Sequence, residues 1–330
     1  MPRLRVAILH DPVPPGAPPD QLDTLVQAQS LATALDEQGF ECLQVPFQAD
    51  LTRLSSALHQ PRSDVVFNLV ESVSGYGDQA HLAPAWLEAE GIPFTGAGSA
   101  CMMLTGDKQV AKRWMQSAGI PVPPDFDPEQ AHAADARFIV KSRCEDASIG
   151  LDAGSVVAAA DVAARIEVCR QQYGGDWFAE QYIEGREFNI ALLQDQGAVR
   201  VLPPAEIVFH DFGPDQPRIV DYRAKWAPDS FEYRNTHRVF PDQRSDGRLL
   251  RDLALISKHC WRLFGLKGYA RVDFRVDQHG HPWVLEVNAN PCLSPDAGFA
   301  AALEQAGIGY AQAAMMILDS AHSNSQALPC

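Results

Sequence analysis

The chain has 330 residues, a formal net charge of −15 and an apolar content of 46%. This length suits two or three packed subdomains rather than a single simple core. The acidic balance argues against nucleic acid or an anionic membrane as a partner, although a local nest of lysines and backbone N–H groups would still bind phosphate. The chain contains no run of about 18 apolar residues, so we expect no membrane-spanning helix.

The seven cysteines are odd in number, widely scattered and free of any C-x-x-C pair. This pattern favours neither a zinc site nor a disulfide framework. The apolar run at the N-terminus is too short, before its prolines, for a signal peptide. Together these features predict a protein of the reducing cytoplasm.

Strand and helix patterns alternate at short spacing through the first 100 residues. The predicted elements are strands at 5–9, 42–45 and 65–70 and helices at 21–38 and 79–90. Such alternation predicts a Rossmann-like domain, residues 1–100, with a parallel sheet and helices on both faces. A dinucleotide-dependent dehydrogenase is a poor alternative, because no G-x-G-x-x-G follows the first strand.

Residues 101–184 are predicted to form a small α+β unit. Its elements are helices at 107–117 and 161–172 and strands at 138–142, 155–157 and 177–182. The polar loop 143–150 follows the first of these strands and has the composition of a mobile segment. The unit is expected to be one subdomain of the fold.

Residues 185–330 are predicted to form the last subdomain. Its elements are strands at 188–193, 199–202, 269–276 and 282–288 and helices at 246–264 and 296–305. Residues 211–245 are rich in Asp, Pro, Arg and Tyr and are predicted to form a long surface loop. A loop of that length inside a compact domain tends to be functional.

The strongest chemical signal lies in two strand-like segments, R-V-D-F-R-V at 271–276 and W-V-L-E-V-N-A-N-P at 283–291. The turn between them is taken to be even in length, two or four residues, so that opposed residues pair an odd with an even number. This register places Asp273 on one sheet face with Glu286 and Asn288.

Arg271, two residues before Asp273, joins the same face. Two carboxylates, an amide and an arginine would be poorly accommodated in an apolar core. Oxygen ligands at this spacing suit hard cations such as Mg²⁺, which also bind phosphate oxygens. The alternative is a solvated hairpin face with an incidental ion pair, and the adjoining Asn-Pro turn weakens that interpretation.

The pair V-D-F and L-E-V-N-x-N-P resembles the metal-binding strands of ATP-grasp enzymes in the D-alanine–D-alanine ligase branch. The resemblance implies an ATP-grasp fold that follows the N-terminal Rossmann-like domain. It implies that Asp273, Glu286 and Asn288 bind two Mg²⁺ ions, with Mn²⁺ as the alternative, that bridge the ATP phosphates. Arg271 would then lie against the transferred phosphoryl group and the developing oxyanion.

Upstream segments resemble the same family in the same order. T-G-D-K at 105–108 and I-V-K-S at 139–142 are similar to its two phosphate-binding lysine motifs, which implies that Lys108 and Lys141 contact ATP phosphates. E-D-A-S-I-G at 145–150 resembles the lid loop, which places Ser148 near the reaction centre. Taken singly, a lysine in a first helical turn is usually solvated, and such a loop is often a plain surface loop.

Two further motifs complete the resemblance. E-Q-Y-I-E-G-R-E at 180–187 is similar to the family hinge, which implies adenine contacts at Glu180, Gln181 and Ile183 and a ribose contact at Glu187. D-Y-R-A-K-W at 221–226 is similar to the segment that closes the active site. Its Lys225 would contact the γ-phosphate or the substrate carboxylate.

The departures from the family fall on the two amino-acid pockets. The proline-rich loop after the first strand has no evident glutamate for an ammonium group, and Val-Glu replaces the usual His-Gly after the third strand. We therefore expect Glu71 to take the ammonium role. Asp296 is expected at the second pocket, and Cys292 is expected to be a packed small residue because no histidine partner is evident.

The resemblance implies an ATP-dependent carboxylate–amine ligase that acts on amino acids or short peptides through an acylphosphate. A homodimer is expected by analogy with the family. The alternatives are an ATP-grasp phosphotransferase, a ligase of substrates other than amino acids, and a non-catalytic ATP-binding protein of the same fold. Retention of Lys225, Arg271 and the three metal ligands argues against the last alternative.

Overall fold

The computed structural model describes residues 3–48, 50–59, 62–145 and 147–322 of the chain. Within these residues the chain folds into three β-sheets that pack against helices. The helices are α1 (Pro19–Glu37), α2 (Leu51–His59), α3 (Leu82–Glu90), α4 (Ser99–Gly106), α5 (Lys108–Ser117), α6 (Val162–Tyr173), α7 (Tyr222–Trp226), α8 (Phe231–Asn235), α9 (Gln243–Phe264), α10 (Gly298–Gln305) and α11 (Tyr310–His322).

The first sheet is parallel, as predicted. Its strands β1 (Arg5–His10), β2 (Glu41–Pro46) and β3 (Val65–Asn68) lie in the order β2-β1-β3. Alternate residues of β1 enter two different cores, one shared with α1 and α11 and the other with α2 and α3. Because both faces are covered, residues 6–9 of β1 are all apolar rather than alternating. The Rossmann-like opening is therefore confirmed, and α2 and α11 were not predicted.

The second sheet has three antiparallel strands in the order β5-β4-β6. They are β4 (Arg137–Ser142), β5 (Val156–Ala158) and β6 (Trp177–Gln181), and α6 packs on one face. Helix α5 begins beside this sheet, where the side chain of Asp107 accepts hydrogen bonds from the N–H groups of Gln109 and Val110. This N-cap fixes the first helical turn and with it the position of Lys108.

The third sheet is antiparallel and has six strands. They are β7 (Gly185–Asp195), β8 (Ala198–Val201), β9 (Ala205–Phe209), β10 (Thr236–Val239), β11 (Tyr269–Asp277) and β12 (Pro282–Asn288), in the order β10-β9-β7-β11-β12 with β8 on β7. One face of β7 and β11 packs on α9 through Phe188, Ile190, Val272 and Phe274. The residues between them point to the other face, where the polar side chains of the site are expected.

The predicted register at the metal face is confirmed, but the turn that was thought to set it is different. Val276 pairs with Pro282, and the Asp277 N–H bonds the carbonyl of His281, so the turn is odd in length. A β-bulge beside Leu285 inserts one residue into β12 and corrects the parity. Asp273 therefore lies opposite Glu286 despite the turn.

The prediction of a long surface loop at 211–245 is wrong. This segment contains α7, α8, β10 and the first residues of α9. Side chains of Asp221, Ser230 and Asp242 cap the three helices at their N-termini, and the first two of these residues are buried. The caps satisfy backbone N–H groups that an irregular loop would leave to water.

Each predicted subdomain, 1–100, 101–184 and 185–330, contains one sheet, but their boundaries remain a prediction. One apolar core joins the first and the third of these subdomains, because residues of β1 and α1 pack with Tyr269, Phe299 and Ile317. Among the residues described, no helix combines the length and apolar character that crossing a bilayer requires.

Candidate active site

A cavity of about 750 Å³ lies among the three sheets, a volume in the range of small-molecule sites. All the residues that the sequence singled out for chemistry line this one cavity. They are Glu71, Lys108, Lys141, Ser148, Glu180, Gln181, Ile183, Glu187, Lys225, Arg271, Asp273, Glu286, Asn288 and Asp296. Their individual roles remain predictions, but their convergence follows from sheet register and not from sequence proximity.

Asp273 forms the centre of the polar face. Arg271 holds it with a fork of two hydrogen bonds, Nε to Oδ1 at 2.8 Å and Nη2 to Oδ2 at 2.8 Å. Asn189, the direct neighbour of Asp273 on β7, donates from Nδ2 to Oδ1 at 2.8 Å and was missed by the sequence analysis. Burial raises the pKa of Asp273, and Arg271 opposes that effect only in part.

Glu286 lies opposite Asp273 in the hairpin, in a more cationic environment. Burial disfavours its charge, but Lys108 and Arg271, each 3.8 Å away, and Lys225 and Lys141 together lower its pKa to about 2. Glu286 is therefore ionised at neutral pH. The cations around Glu286 suit a ligand that carries several negative charges together with a bound metal ion.

The donor set fits Mg²⁺ only if the ligand supplies further oxygens. No group of three or more His, Cys, Asp or Glu residues in the described parts of the chain forms a metal site. Asp273, Glu286 and Asn288 offer two carboxylates and one amide oxygen, and Mg²⁺ needs six oxygens. Phosphate oxygens and water would supply the rest, which is the usual arrangement for a nucleotide-bound ion.

The hinge carboxylate Glu180 is held by two lysines. It is 1% exposed, with Oε2 2.6 Å from Lys112 Nζ and Oε1 2.5 Å from Lys141 Nζ. Lys112 also binds Asp125, and the sequence analysis missed it. The signal was present as D-K-x-x-x-K, because residues four apart on α5 lie on the same helix face.

The lid loop and the segment around α7 contact one another over the cavity. The hydroxyl of Ser148 donates to the carbonyl of Val220 at 2.7 Å, and the indole N–H of Trp226 donates to the carbonyl of Ala147 at 3.2 Å. A backbone bond of 3.3 Å also joins Tyr222 N to the Leu151 carbonyl. The described residues of the lid therefore cover the site from above.

The far end of the cavity carries carboxylates from α1 that the sequence analysis missed. The hydroxyl of Tyr222 donates to Asp20 at 2.7 Å, and the hydroxyl of Ser294 donates to Asp23 at 2.8 Å. The thiol of Cys292 donates to the other oxygen of Asp23. Burial and the nearby carboxylates raise the pKa of Cys292, which agrees with a packed thiol rather than a nucleophile.

Glu71 also lies at this end and accepts a hydrogen bond from Gln27 at 3.3 Å. Arg238, which the sequence also did not indicate, lines the cavity from β10. A Cβ added at Gly298 would lie 3.4 Å from its Nη2, so the guanidinium rests against the start of α10. Asp296 raises the pKa of Arg238, whereas burial and Arg271 lower it more strongly. Charges of both signs thus surround this end.

Comparison with known proteins identifies the family. The family described as D-ala D-ala ligase C-terminus matches residues 128–319. A D-alanine–D-alanine ligase of Gloeobacter violaceus is 30% identical over 312 residues, covering 91% of this chain and 95% of that protein. The chain belongs to the D-alanine–D-alanine ligase family. An uncharacterised protein of Sinorhizobium fredii is 32% identical over 308 residues, 89% of this chain and 87% of its own length.

Solved structures of D-alanine–D-alanine ligases share the fold of this chain. A ligase from Bacillus anthracis, solved in complex with ATP, superposes with a TM-score of 0.73 at 17% identity, covering 98% of this chain and 99% of that one. D-alanyl-alanine synthetase A from Vibrio cholerae superposes with a TM-score of 0.74, also at 17% identity and with the same coverage. The predicted ATP-grasp architecture is confirmed.

Proposed function

We propose that this protein is an ATP-dependent carboxylate–amine ligase that joins two amino acids or an amino acid and a short peptide. The reaction passes through an acylphosphate and releases ADP and phosphate. One observation carries the proposal: Arg271, Asp273, Glu286 and Asn288 face the same cavity as the two predicted phosphate lysines. Membership of the D-alanine–D-alanine ligase family supports it.

The polar face suits phosphoryl transfer to a carboxylate. Asp273, Glu286 and Asn288 would hold Mg²⁺, which supplies Lewis-acid neutralisation of phosphate charge. Lys108 and Lys141 add positive charge at the nucleotide end, and Arg271 is placed to stabilise the oxyanion that develops at the acyl carbon. Because these groups are fixed by strands and by the α5 cap, little reorganisation is needed at the moment of reaction.

Water exclusion is the second requirement, since an acylphosphate hydrolyses readily. The contacts of Ser148 with Val220 and of Trp226 with Ala147 close the described lid over the cavity. The amine then competes with few water molecules for the activated acyl group.

The substrates are proposed to be amino acids because the far end of the cavity carries both signs of charge. Asp20 and Glu71 suit an ammonium group, and Arg238 suits a carboxylate. The names of the relatives make D-alanine the first substrate to examine. We also propose a cytoplasmic location and a homodimer. Light scattering tests the oligomeric state.

The decisive test measures ADP release and products together. Purified protein with Mg-ATP is screened against D- and L-amino acids and short peptides, with mass spectrometry for an amide product. An amide formed in step with ADP supports the ligase, whereas a stable phosphorylated product supports a phosphotransferase. Absence of ATP turnover with every amino acid and peptide would contradict the proposed substrates, and would leave a ligase of other substrates or a non-catalytic protein as the alternatives.

Variants then test the metal face. Asp273→Asn and Glu286→Gln should each lower ATP turnover by about 100-fold or more, because each removes charge that holds the cation. Glu206→Gln is the matched control: it removes a carboxylate of the same sheet that pairs with Arg186 and does not line the cavity. Near-normal turnover in either test variant contradicts the metal assignment.

A further inference from the structure

One buried arginine of the nucleotide end has no part in the proposed reaction. Arg275 is 3% exposed and lies directly opposite Glu187 in the ladder between β11 and β7. Its Nη2 lies 3.0 Å from Glu187 Oε2. The alternation of β11 puts Arg271, Asp273 and Arg275 on the same face, so this arginine is part of the cavity wall.

Arg275 is fixed by more than its ion pair. Its Nη1 donates to the carbonyl of Gly185 at 3.0 Å, and its Nη2 also donates to the carbonyl of Arg218. The rings of Tyr182 and Phe209 lie 5.6 Å and 5.8 Å from the guanidinium carbon. The guanidinium therefore joins the hinge, β7 and the segment before α7, and has little freedom to move.

The fixed guanidinium of Arg275 determines the environment of the Glu187 carboxylate. This side chain is 8% exposed, and among the described residues its ion-pair partner is Arg275. Burial raises the pKa of Glu187, and Arg275 is the strongest opposing influence; Lys225 also opposes, while Asp273 and Glu286 reinforce burial. An ionised carboxylate accepts hydrogen bonds and does not donate them. Because Arg275 is fixed and binds Oε2 of Glu187, the remaining lone pairs of this carboxylate are held in one orientation.

We propose that Arg275 is a positioning residue that orients Glu187 to accept hydrogen bonds from two vicinal sugar hydroxyls, and so makes the site selective for nucleotides with an intact ribose. The inference rests on the proposed function, which places the nucleotide at this end. It adds Arg275 as a residue that affects the choice of nucleotide by acting through Glu187.

Calorimetry with Mg-ATP and with Mg-2′,3′-dideoxy-ATP tests the proposal without any need for the acceptor substrate. The wild-type protein should bind ATP about 10- to 100-fold more tightly than the dideoxy analogue, because two hydrogen bonds to a charged acceptor are lost. Arg275→Met should reduce this ratio to about threefold or less. Arg275→Lys should give an intermediate ratio, because an ammonium group keeps the charge but cannot make all the contacts of the guanidinium with Glu187, Gly185 and Arg218.

The control separates positioning from general stability. Arg186→Met removes the neighbouring arginine on the opposite face of β7, where it binds Glu206 and Asp246 outside the cavity. This variant is expected to lose stability and to keep the wild-type ratio. Arg275→Met leaves Glu187 buried without its counter-charge and is at risk of misfolding. The double variant Arg275→Met/Glu187→Gln removes both charges and avoids that cost.

Glu187→Gln alone should also lose the ratio, and the double variant should lose no more, because both substitutions remove the same interaction. A wild-type ratio in Arg275→Met, or strictly additive losses in the double variant, overturns the proposal. Failure of the wild-type protein to bind ATP overturns the proposed function, and the inference with it. A wild-type ratio near one, with ATP bound, overturns this proposal and leaves the proposed function standing.

Discussion

Two carboxylates that face each other across one hairpin have opposite pKa shifts. Asp273 is buried against one arginine and an amide, and its pKa is raised by burial. The Glu286 side chain is 28% exposed, against 9% for Asp273, and the electrostatic attraction of four cations lowers its pKa to about 2. Since the two groups lie directly opposite each other on β11 and β12, the difference comes from their immediate neighbours. A proton added to this pair would reside on Asp273.

Arg238 is expected to contribute to binding of the acceptor amino acid. It lines the substrate end of the cavity, and no ion pair or hydrogen bond of its side chain is present among the described residues. Arg238→Gln should raise the KM for an acceptor amino acid by about 10-fold or more and change the KM for ATP little, because a charge-assisted contact is lost. Steady-state kinetics measures both. Arg223→Gln, an exposed arginine paired with Glu232, is the control. An equal rise in both constants would contradict the role.

Asp11 gives a prediction about pH and stability. It accepts hydrogen bonds from the Glu71 N–H and the Ser72 hydroxyl, yet burial raises its pKa to about 6. The folded chain therefore binds this proton more tightly than the unfolded chain, and the group's contribution to stability falls as the pH rises from 4 to 6. Asp11→Asn should reduce this pH-dependent fall in the free energy of unfolding by about 2 kcal/mol. Urea unfolding between pH 4 and 7 measures it, and an unchanged slope would contradict the shift.

At the scale of elements, closure depends on the shape of the lid. Gly150 has φ +71°, and a Cβ there would lie 2.3 Å from the Trp177 ring. The loop therefore passes against β6 more closely than any residue with a side chain permits. Two residues earlier in the same loop, the hydroxyl of Ser148 donates to the carbonyl of Val220. The lid and the α7 segment act as one cover over the cavity.

Gly150→Ala tests this cover. We expect amide formation to fall by about 10-fold or more and the ADP released per amide bond to rise, because a displaced lid admits water to the acylphosphate. Gly174→Ala is a closely matched control, since Gly174 also has φ +71° but has open space around its Cβ position. Coupled assays of ADP and product measure the ratio. Unchanged coupling in Gly150→Ala would contradict a sealing role for the loop.

At the scale of the whole molecule, one buried amide connects the N-terminal sheet with the third sheet. Asn290 accepts a hydrogen bond of 2.5 Å from Tyr269 Oη and donates one of 3.0 Å to the carbonyl of Val70. The Asn-Pro turn that follows the metal strand is thus anchored next to Glu71. The substrate end of the cavity is formed by residues on both sides of this contact.

Asn290→Ala should lower the free energy of unfolding by about 3 kcal/mol, because it leaves the Tyr269 hydroxyl and the Val70 carbonyl without their partner. Asn235→Ala removes a surface hydrogen bond to the Phe231 carbonyl and should cost less than about 1 kcal/mol. Urea denaturation compares the two. Equal losses would show that the buried contact adds nothing beyond an ordinary hydrogen bond.

Much of the fold and of the site was predictable from the amino-acid sequence. Helix and strand periodicity predicted the parallel opening sheet, the central unit and the β11–β12 hairpin, because these elements have strong local patterns. The residues proposed for nucleotide and metal binding lie in short contiguous motifs, which made their positions readable. Segments with weak or short patterns, such as α2, β9 and the helices between 222 and 235, escaped prediction.

Which side chains come into contact depends instead on how the folded chain packs. Strand register supplies Asn189 as the partner of Asp273. Local patterns place Lys112 and Arg275 on the correct faces, but only packing makes Glu180 and Glu187 their partners. Asp20 and Asp23 reach the cavity because α1 packs beside the turn after β12, over 260 residues away in the chain. Even the correct metal register depended on the bulge at Leu285, since side-chain direction in a strand is set by position in the ladder and one inserted residue reverses it.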